Sequence, residues 1–147
     1  MIKMNLKGQK KPMGKAKRFP QDVAFSNYIR ERDKWTCQRC GTWYDKTDSR
    51  QRMALHCSHV IGRSNWRVRC EPSNAMAICY GCHQIIGSDM YAHQKVWRKK
   101  FSYYQRNKIK NLALIKNFKT RDVKNSETTK KFKELYAKEC EKNNTLP

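Results

Sequence analysis

Acidic residues are scarce in this chain: 12 Asp and Glu stand against 33 Lys and Arg in 147 residues, a formal net charge of +21. A charge of that sign and size favours a polyanionic partner. DNA or RNA is the first choice; an anionic membrane surface competes, and a ribosomal or chromatin-like structural role fits the charge equally well. Long apolar runs are missing too. Nothing reaches the about 18 consecutive apolar residues that a spanning helix needs. The basic N-terminus lacks an apolar core segment and a cleavage signal, so no secretory leader is expected and the cytoplasm is the expected compartment. Glycine and proline are sparse, 6 and 4, and neither occurs between Tyr91 and Leu146. The last third of the chain therefore has little to interrupt helix.

The seven cysteines are an odd number. Four of them fall in two C-x2-C pairs, Cys37-Gln-Arg-Cys40 and Cys79-Tyr-Gly-Cys82. In a chain with no sign of export, that spacing reads as thiolate ligation rather than disulfides. Four thiolates from two distant segments close one tetrahedral zinc site. Cys57, Cys70 and Cys140 are left as small buried hydrophobes or free thiols.

The charge is unevenly spread. Residues 1–20 hold seven basic residues and no acid, with Gly8, Pro12, Gly14 and Pro20, and read as a flexible basic arm. Residues 21–94 carry 10 basic and 7 acidic side chains; residues 95–147 carry 16 and 5. Ala24, Phe25, Tyr28 and Ile29 recur at helical steps and predict a helix over 21–32, with Arg30 and Arg32 pointing away from the core. Met53 to Val60 reads as a strand with Met53, Leu55 and Cys57 on one side. Trp66 to Cys70 reads as extended, residues 71–74 as a turn, Ala75 to Cys79 as a second strand, and Gly81 to Gly87 as a helix carrying His83. Beyond Asp89 a long helical stretch is expected, broken near residues 105–108. A polar linker follows over 120–126. A last helix runs over 127–142, with Ser126 as its cap and Phe132, Leu135 and Tyr136 on its apolar face.

His59, Asn74 and His83 fall between and after the cysteine pairs. With the Cys79-x2-Cys82-His83 run and the segment Leu55-His56-Cys57-Ser58-His59-Val60-Ile61-Gly62-Arg63, they make the region 22–90 resemble zinc-containing HNH endonucleases, in particular small ones carried by bacteriophages. The resemblance implies an α+β fold: a ββα-metal (His-Me finger) core over 21–90, stabilised by a four-cysteine zinc site. The basic arm lies before it and a basic helical extension, 91–147, follows. It also implies roles. His59 is the base that takes a proton from water. Asn74 holds the loop and orients the His59 ring through its carbonyl. His83 ligates a catalytic divalent ion, Mg²⁺ or Mn²⁺, while zinc at Cys37, Cys40, Cys79 and Cys82 is structural.

One position departs from the family pattern. Asp commonly precedes the first His; here the residue is Ser58, a weak ligand. His56, on the same strand face, is the expected substitute, and a pair of imidazoles would shift preference toward Mn²⁺, Ni²⁺ or Zn²⁺. Asp89 is a remoter oxygen donor, and His93 reads as an ordinary helix histidine. Arg63, Arg67 and Arg69 flank the base and are candidate phosphate clamps. Two function classes follow: a metal-dependent DNA endonuclease, or a non-catalytic zinc-stabilised nucleic-acid-binding protein. RNA is the less expected substrate.

Overall fold

The structure is a computed structural model that describes residues 18–115 and 126–145. Nearly all of the N-terminal basic arm and most of the polar linker expected at 120–126 lie outside the described residues. Six helices, α1 (Pro20–Arg32), α2 (Ser49–Ala54), α3 (Tyr80–Ser88), α4 (Met90–Lys100), α5 (Tyr103–Leu114) and α6 (Ser126–Asn144), surround one antiparallel hairpin among the described residues. Its strands are β1 (Leu55–His59) and β2 (Ala75–Cys79), paired Leu55 with Cys79 through His59 with Ala75. A single 3₁₀ turn, Pro72–Asn74, leads into β2.

Helix α1 starts at Pro20, whose fixed φ suits the first helical position. The Asp22 carboxylate accepts from the Phe19 amide at 2.8 Å and closes that end. Ala24, Phe25 and Ile29 are buried as their spacing predicts. Phe132 of α6 packs edge-on against Phe25, ring centroids 4.9 Å apart, with Tyr28 on its other flank. Leu135 packs against the same cluster, and α6 is described from Ser126 onward. Every residue of β2 is buried. The hairpin lies between this cluster and a larger one containing Leu55, Val68, Met76, Ile78, Trp97 and Ile109.

Several expectations are corrected. Met53 is not in a strand: Asp48 caps α2 by accepting from the Arg50 and Gln51 amides, and Met53 lies exposed in that helix. The strand thereby shrinks to five residues. Residues 66–70 form turns rather than an extended segment. There the Asn65 carbonyl and side chain accept from the Val68 and Arg67 amides. The stretch after 89 breaks at Phe101–Ser102, not at 105–108. Ser102 and Gln105 form a reciprocal capping box that starts α5, and Asp89 caps α4.

Arg30 and Arg32 do not point outward. Arg30 Nε donates to the Leu55 carbonyl, and Arg32 donates to the Pro72 and Ala75 carbonyls. Asp33, at the end of α1, is the centre of this join. Its fully buried carboxylate accepts from the Ala77 amide at 2.8 Å and pairs with Arg32 and with Lys100 of α4. Asp33→Ala would leave the Ala77 amide without its acceptor and Arg32 and Lys100 without their counter-charge. Removing one partner of such a group costs on the order of 3 kcal/mol or more, an expected loss to be read from urea unfolding. Loss of less than about 1 kcal/mol, the worth of a surface pair, would contradict this account.

Candidate metal centre and histidine cleft

The first cysteine pair sits in a knuckle whose backbone is held by contacts of its own. α1 ends with Lys34 and Trp35 both in the left-handed region, φ 51° and 52°. That conformation is costly for residues with a side chain. It is held here because Trp35 is buried and its indole N–H donates to the Glu31 carboxylate at 2.6 Å. Burial pushes the Glu31 carboxyl up, but the hydrogen bonds from Trp35 and Asn143 and the nearby Lys46 hold it below the usual range. The Cys37 amide then donates to the Thr42 carbonyl and the Gly41 amide to the Cys37 carbonyl. Gly41, at φ 78°, makes the turn that a side chain would strain.

The second pair comes from the end of β2 and the first turn of α3. All four Sγ atoms of Cys37, Cys40, Cys79 and Cys82 lie within 4.8 Å of one another. Sγ of Cys40 and Cys79 are 3.9 Å apart, and the Cys79 amide points at Cys37 Sγ, 3.3 Å away. The donor set is all thiol, compact and four in number, which fits tetrahedral zinc. It supports a structural zinc site. Hydrogen bonds from Thr42 pull Cys40 down to about 6, whereas burial pushes Cys82 up to about 12. A cation that needs all four as thiolates therefore displaces protons chiefly from Cys37 and Cys82, whose thiols burial raises. Cys57 and Cys70 are outside this group. Burial pushes both thiols up to about 12, and they pack against the α1–α6 cluster.

The loop between the strands is closed by Asn74. Its side chain is fully buried; Oδ1 accepts from the Ile61 amide and Nδ2 donates to the Ile61 and Val68 carbonyls, all at 2.9 Å. Trp97 of α4 pins the turn by donating to the Ser73 carbonyl. Asn74 does not orient the His59 ring. That partner is the Arg69 carbonyl, 2.8 Å from His59 Nε2. A carbonyl only accepts, so Nε2 carries the proton and the Nδ1 lone pair is left available. Burial, opposed by the Arg69 carbonyl, drops the His59 pKa to about 4 and keeps the ring neutral. Phe25 packs on it, centroids 5.7 Å apart.

His59, His56 and His83 line one cleft of about 520 Å³, together with Arg18, Arg30 and Arg63. The His56 and His83 rings meet edge to face with centroids 5.2 Å apart. Burial lowers the pKa of both, and the His83 charge adds to the effect on His56. Asn74 stands behind the cleft, not in it. Of the expected clamp residues, Arg63 lines the cleft and Arg67 does not. Arg69 is buried instead. It grips the Asp22 carboxylate through two 2.6 Å hydrogen bonds, donates to the Arg63 carbonyl, and lies over Trp66. Its side chain is thus closed to an outside phosphate, and its contribution at the site is its carbonyl. Asp89 accepts from the Tyr91 and Ala92 amides through Oδ1 as a helix cap, and it does not line the cleft. Arg18 and the Asp22–Arg69 pair were not legible as site residues, since no local spacing relates residues that far apart.

The four-cysteine cluster generates a direct expectation. One equivalent of zinc should remain after dialysis, and Cys40→Ala or Cys82→Ala should lose the metal together with cooperative unfolding. Native mass spectrometry of a folded, metal-free wild type would contradict it.

Over 66 residues the chain is 29% identical to a protein described as a probable HNH endonuclease from Lactococcus phage SK1; the match covers 42% of this chain and 63% of that protein. The chain thus spans less than two thirds of the length of this curated relative. No family profile and no solved structure matches it. This distant likeness and the small antiparallel hairpin beside a four-cysteine cluster are consistent with an HNH-like core and with a nuclease-like function in general.

Proposed function

We propose that this protein is a metal-dependent endonuclease that hydrolyses phosphodiester bonds in DNA, built on a ββα-metal core of β1, β2 and α3. The observation that carries the reading is the convergence of His56, His59 and His83 on one arginine-lined cleft, with His59 neutral and fixed by a carbonyl. His59 takes the proton from the attacking water through Nδ1. Arg18, Arg30 and Arg63 draw the negatively charged backbone into the cleft. Asn74 acts by holding the loop that carries Ile61 and Val68, and through it the Arg69 carbonyl, in register with β1. The ring nitrogens of His56 and His83 fit a borderline divalent cation better than a hard one, because nitrogen donors suit Mn²⁺ or Ni²⁺ more than Mg²⁺. Such an ion would supply positive charge to the scissile phosphate and the departing 3′ oxygen.

One observation favours the second reading, a binding protein that does not cut. Asp22 is the sole carboxylate among the described residues lining the cleft, and Arg69 already holds it. Plasmid cleavage by purified protein across Mg²⁺, Mn²⁺, Ni²⁺ and EDTA separates the two. Cleavage under no divalent ion, with DNA binding intact, would leave the binding reading standing.

If the protein cuts, His59→Ala should keep its fold, zinc and DNA affinity and lose cleavage by at least about a hundredfold, the low end for removing a general base. Equal cleavage by the variant would remove His59 from the mechanism. The pH profile follows from the same burial. A base with a pKa near 4 rather than 6.5 stays unprotonated through the mildly acidic range. In single-turnover assays at saturating divalent ion and sub-saturating DNA, which report the ionisation of the free protein, activity should therefore hold well below the ordinary histidine pKa and fall only as the pH approaches that lower value. An acid limb at the ordinary histidine pKa would contradict the burial argument.

A further inference from the structure

His56 shares its strand face with Ser58, two positions on. Both side chains meet imidazoles from the helices that follow β2. His56 faces His83 of α3, and Ser58 Oγ lies 3.3 Å from Nε2 of His93 in α4. α3 and α4, which carry His83 and His93, pack against each other. Imidazoles from β1, α3 and α4 are thus gathered on one side of the hairpin. We propose that His93 is a third nitrogen donor, beside His56 and His83, for the divalent ion. The proposal rests on the reading of His56 and His83 given above.

Three features of the molecule support it. No hydrogen bond from the described residues engages a ring nitrogen of His56 or His83, so both keep a lone pair to offer. His93 has one polar contact through its ring, a long 3.3 Å hydrogen bond to a neutral hydroxyl, which is weak and easily exchanged for a stronger bond. And the one carboxylate among the described residues lining the cleft, Asp22, is held by Arg69. Among the described residues, the four cysteines alone form a group of three or more candidate ligands with all donor atoms within 4.8 Å. The imidazoles are neighbours, not a preformed cage, and His93 must swing from Ser58 toward His83 to complete the set. An all-nitrogen site of this kind prefers Ni²⁺, Zn²⁺ or Mn²⁺ to Mg²⁺.

The test is a binding measurement on the full-length, zinc-loaded chain. Ni²⁺ and Mg²⁺ are titrated calorimetrically into the wild type and into the variants His56→Ala, His83→Ala, His93→Ala, His93→Gln and Ser58→Ala. His93→Gln keeps a hydrogen-bonding partner for Ser58 and guards against a loss that merely reflects unfolding. One Ni²⁺ beyond the zinc should bind, more tightly than Mg²⁺. Both His93 variants should weaken it by at least about tenfold, the least that disturbing a metal's immediate surroundings costs. Ser58→Ala should bind as the wild type does, because it removes the hydroxyl and leaves the donor. Wild-type Ni²⁺ affinity in the His93 variants, with loss in His56→Ala and His83→Ala, would overturn the role of His93 and leave the two-histidine site intact. Wild-type affinity in all the histidine variants would remove the site itself. A loss in Ser58→Ala equal to that in His93→Ala would show that His93 acts through its hydrogen bond, which also overturns the proposal.

Discussion

The outer edge of strand β2 is the constraint on which the rest of the molecule hangs. A two-stranded hairpin exposes a row of backbone groups on each flank, and a buried strand cannot leave them without partners. Here the row along Ala75, Ala77 and Cys79 is answered by side chains and by the knuckle, not by a third strand. Arg32 donates to the Ala75 carbonyl, Asp33 accepts from the Ala77 amide, the Gln38 amide donates to the Ala77 carbonyl, and the Cys79 amide points at Cys37 Sγ. The same contacts that satisfy the strand therefore bring the first cysteine pair against the second. Zinc would lock an arrangement that the backbone has already prepared. The other end of β2 is fixed by Asn74 and the loop it closes, so the strand is held at both ends and His59, opposite Ala75, inherits that rigidity.

What could be read from the sequence were the elements whose signals are local. The stripe Ala24, Phe25, Ile29 marks α1, the apolar run of β2 marks a buried strand, and the C-x2-C spacing marks the cysteine cluster. The failures share a cause. Met53 continues the alternation of β1 by chance, and only the capping carboxylate of Asp48 shows that the helix takes it. The Ser102–Gln105 box was present in the sequence but hidden by an apolar periodicity that runs across the break. Arg30, Arg32 and Arg69 look like surface charge in a polycation. Arg32 and Arg69 are consumed by carbonyls and carboxylates, and Arg30 gives its Nε to the Leu55 carbonyl while still lining the cleft; no spacing along the chain encodes such meetings. At the cleft, His56, His59 and His83 were legible as types in an order. Their shared cleft, the Arg69 carbonyl and the neighbourhood of His93 needed the fold.

The distribution of charge makes sense of a central region that is nearly neutral beside strongly basic flanks. Acids in the core are consumed internally: Asp22 by Arg69, Glu31 by Trp35 and Asn143, Asp33 by Arg32 and Lys100. Each buried carboxylate organises a joint between elements and adds nothing to the outer field. The arginines around the cleft then outnumber its one carboxylate, Asp22, which Arg69 pairs, and their attraction for a phosphate backbone, being electrostatic, weakens as salt rises.

The burial of His59 sets a tension that the proposed reaction has to resolve. A ring with a pKa near 4 is wholly unprotonated at neutral pH, yet a base that weak has little appetite for a proton. Desolvation is the main cause, and the positive charge of Arg63 adds to it. A bound phosphodiester reverses the second effect. Its negative charge beside the ring favours the imidazolium and offsets the arginine, so the pKa rises when the substrate is in place. The base is then kept free of protons while the cleft is empty and gains basicity as the anion arrives. The same anion would draw Arg63 toward itself and away from the imidazole. In this arrangement Arg63, which depresses the base in the free protein, is also a group that binds the substrate, and one electrostatic exchange serves both binding and proton transfer.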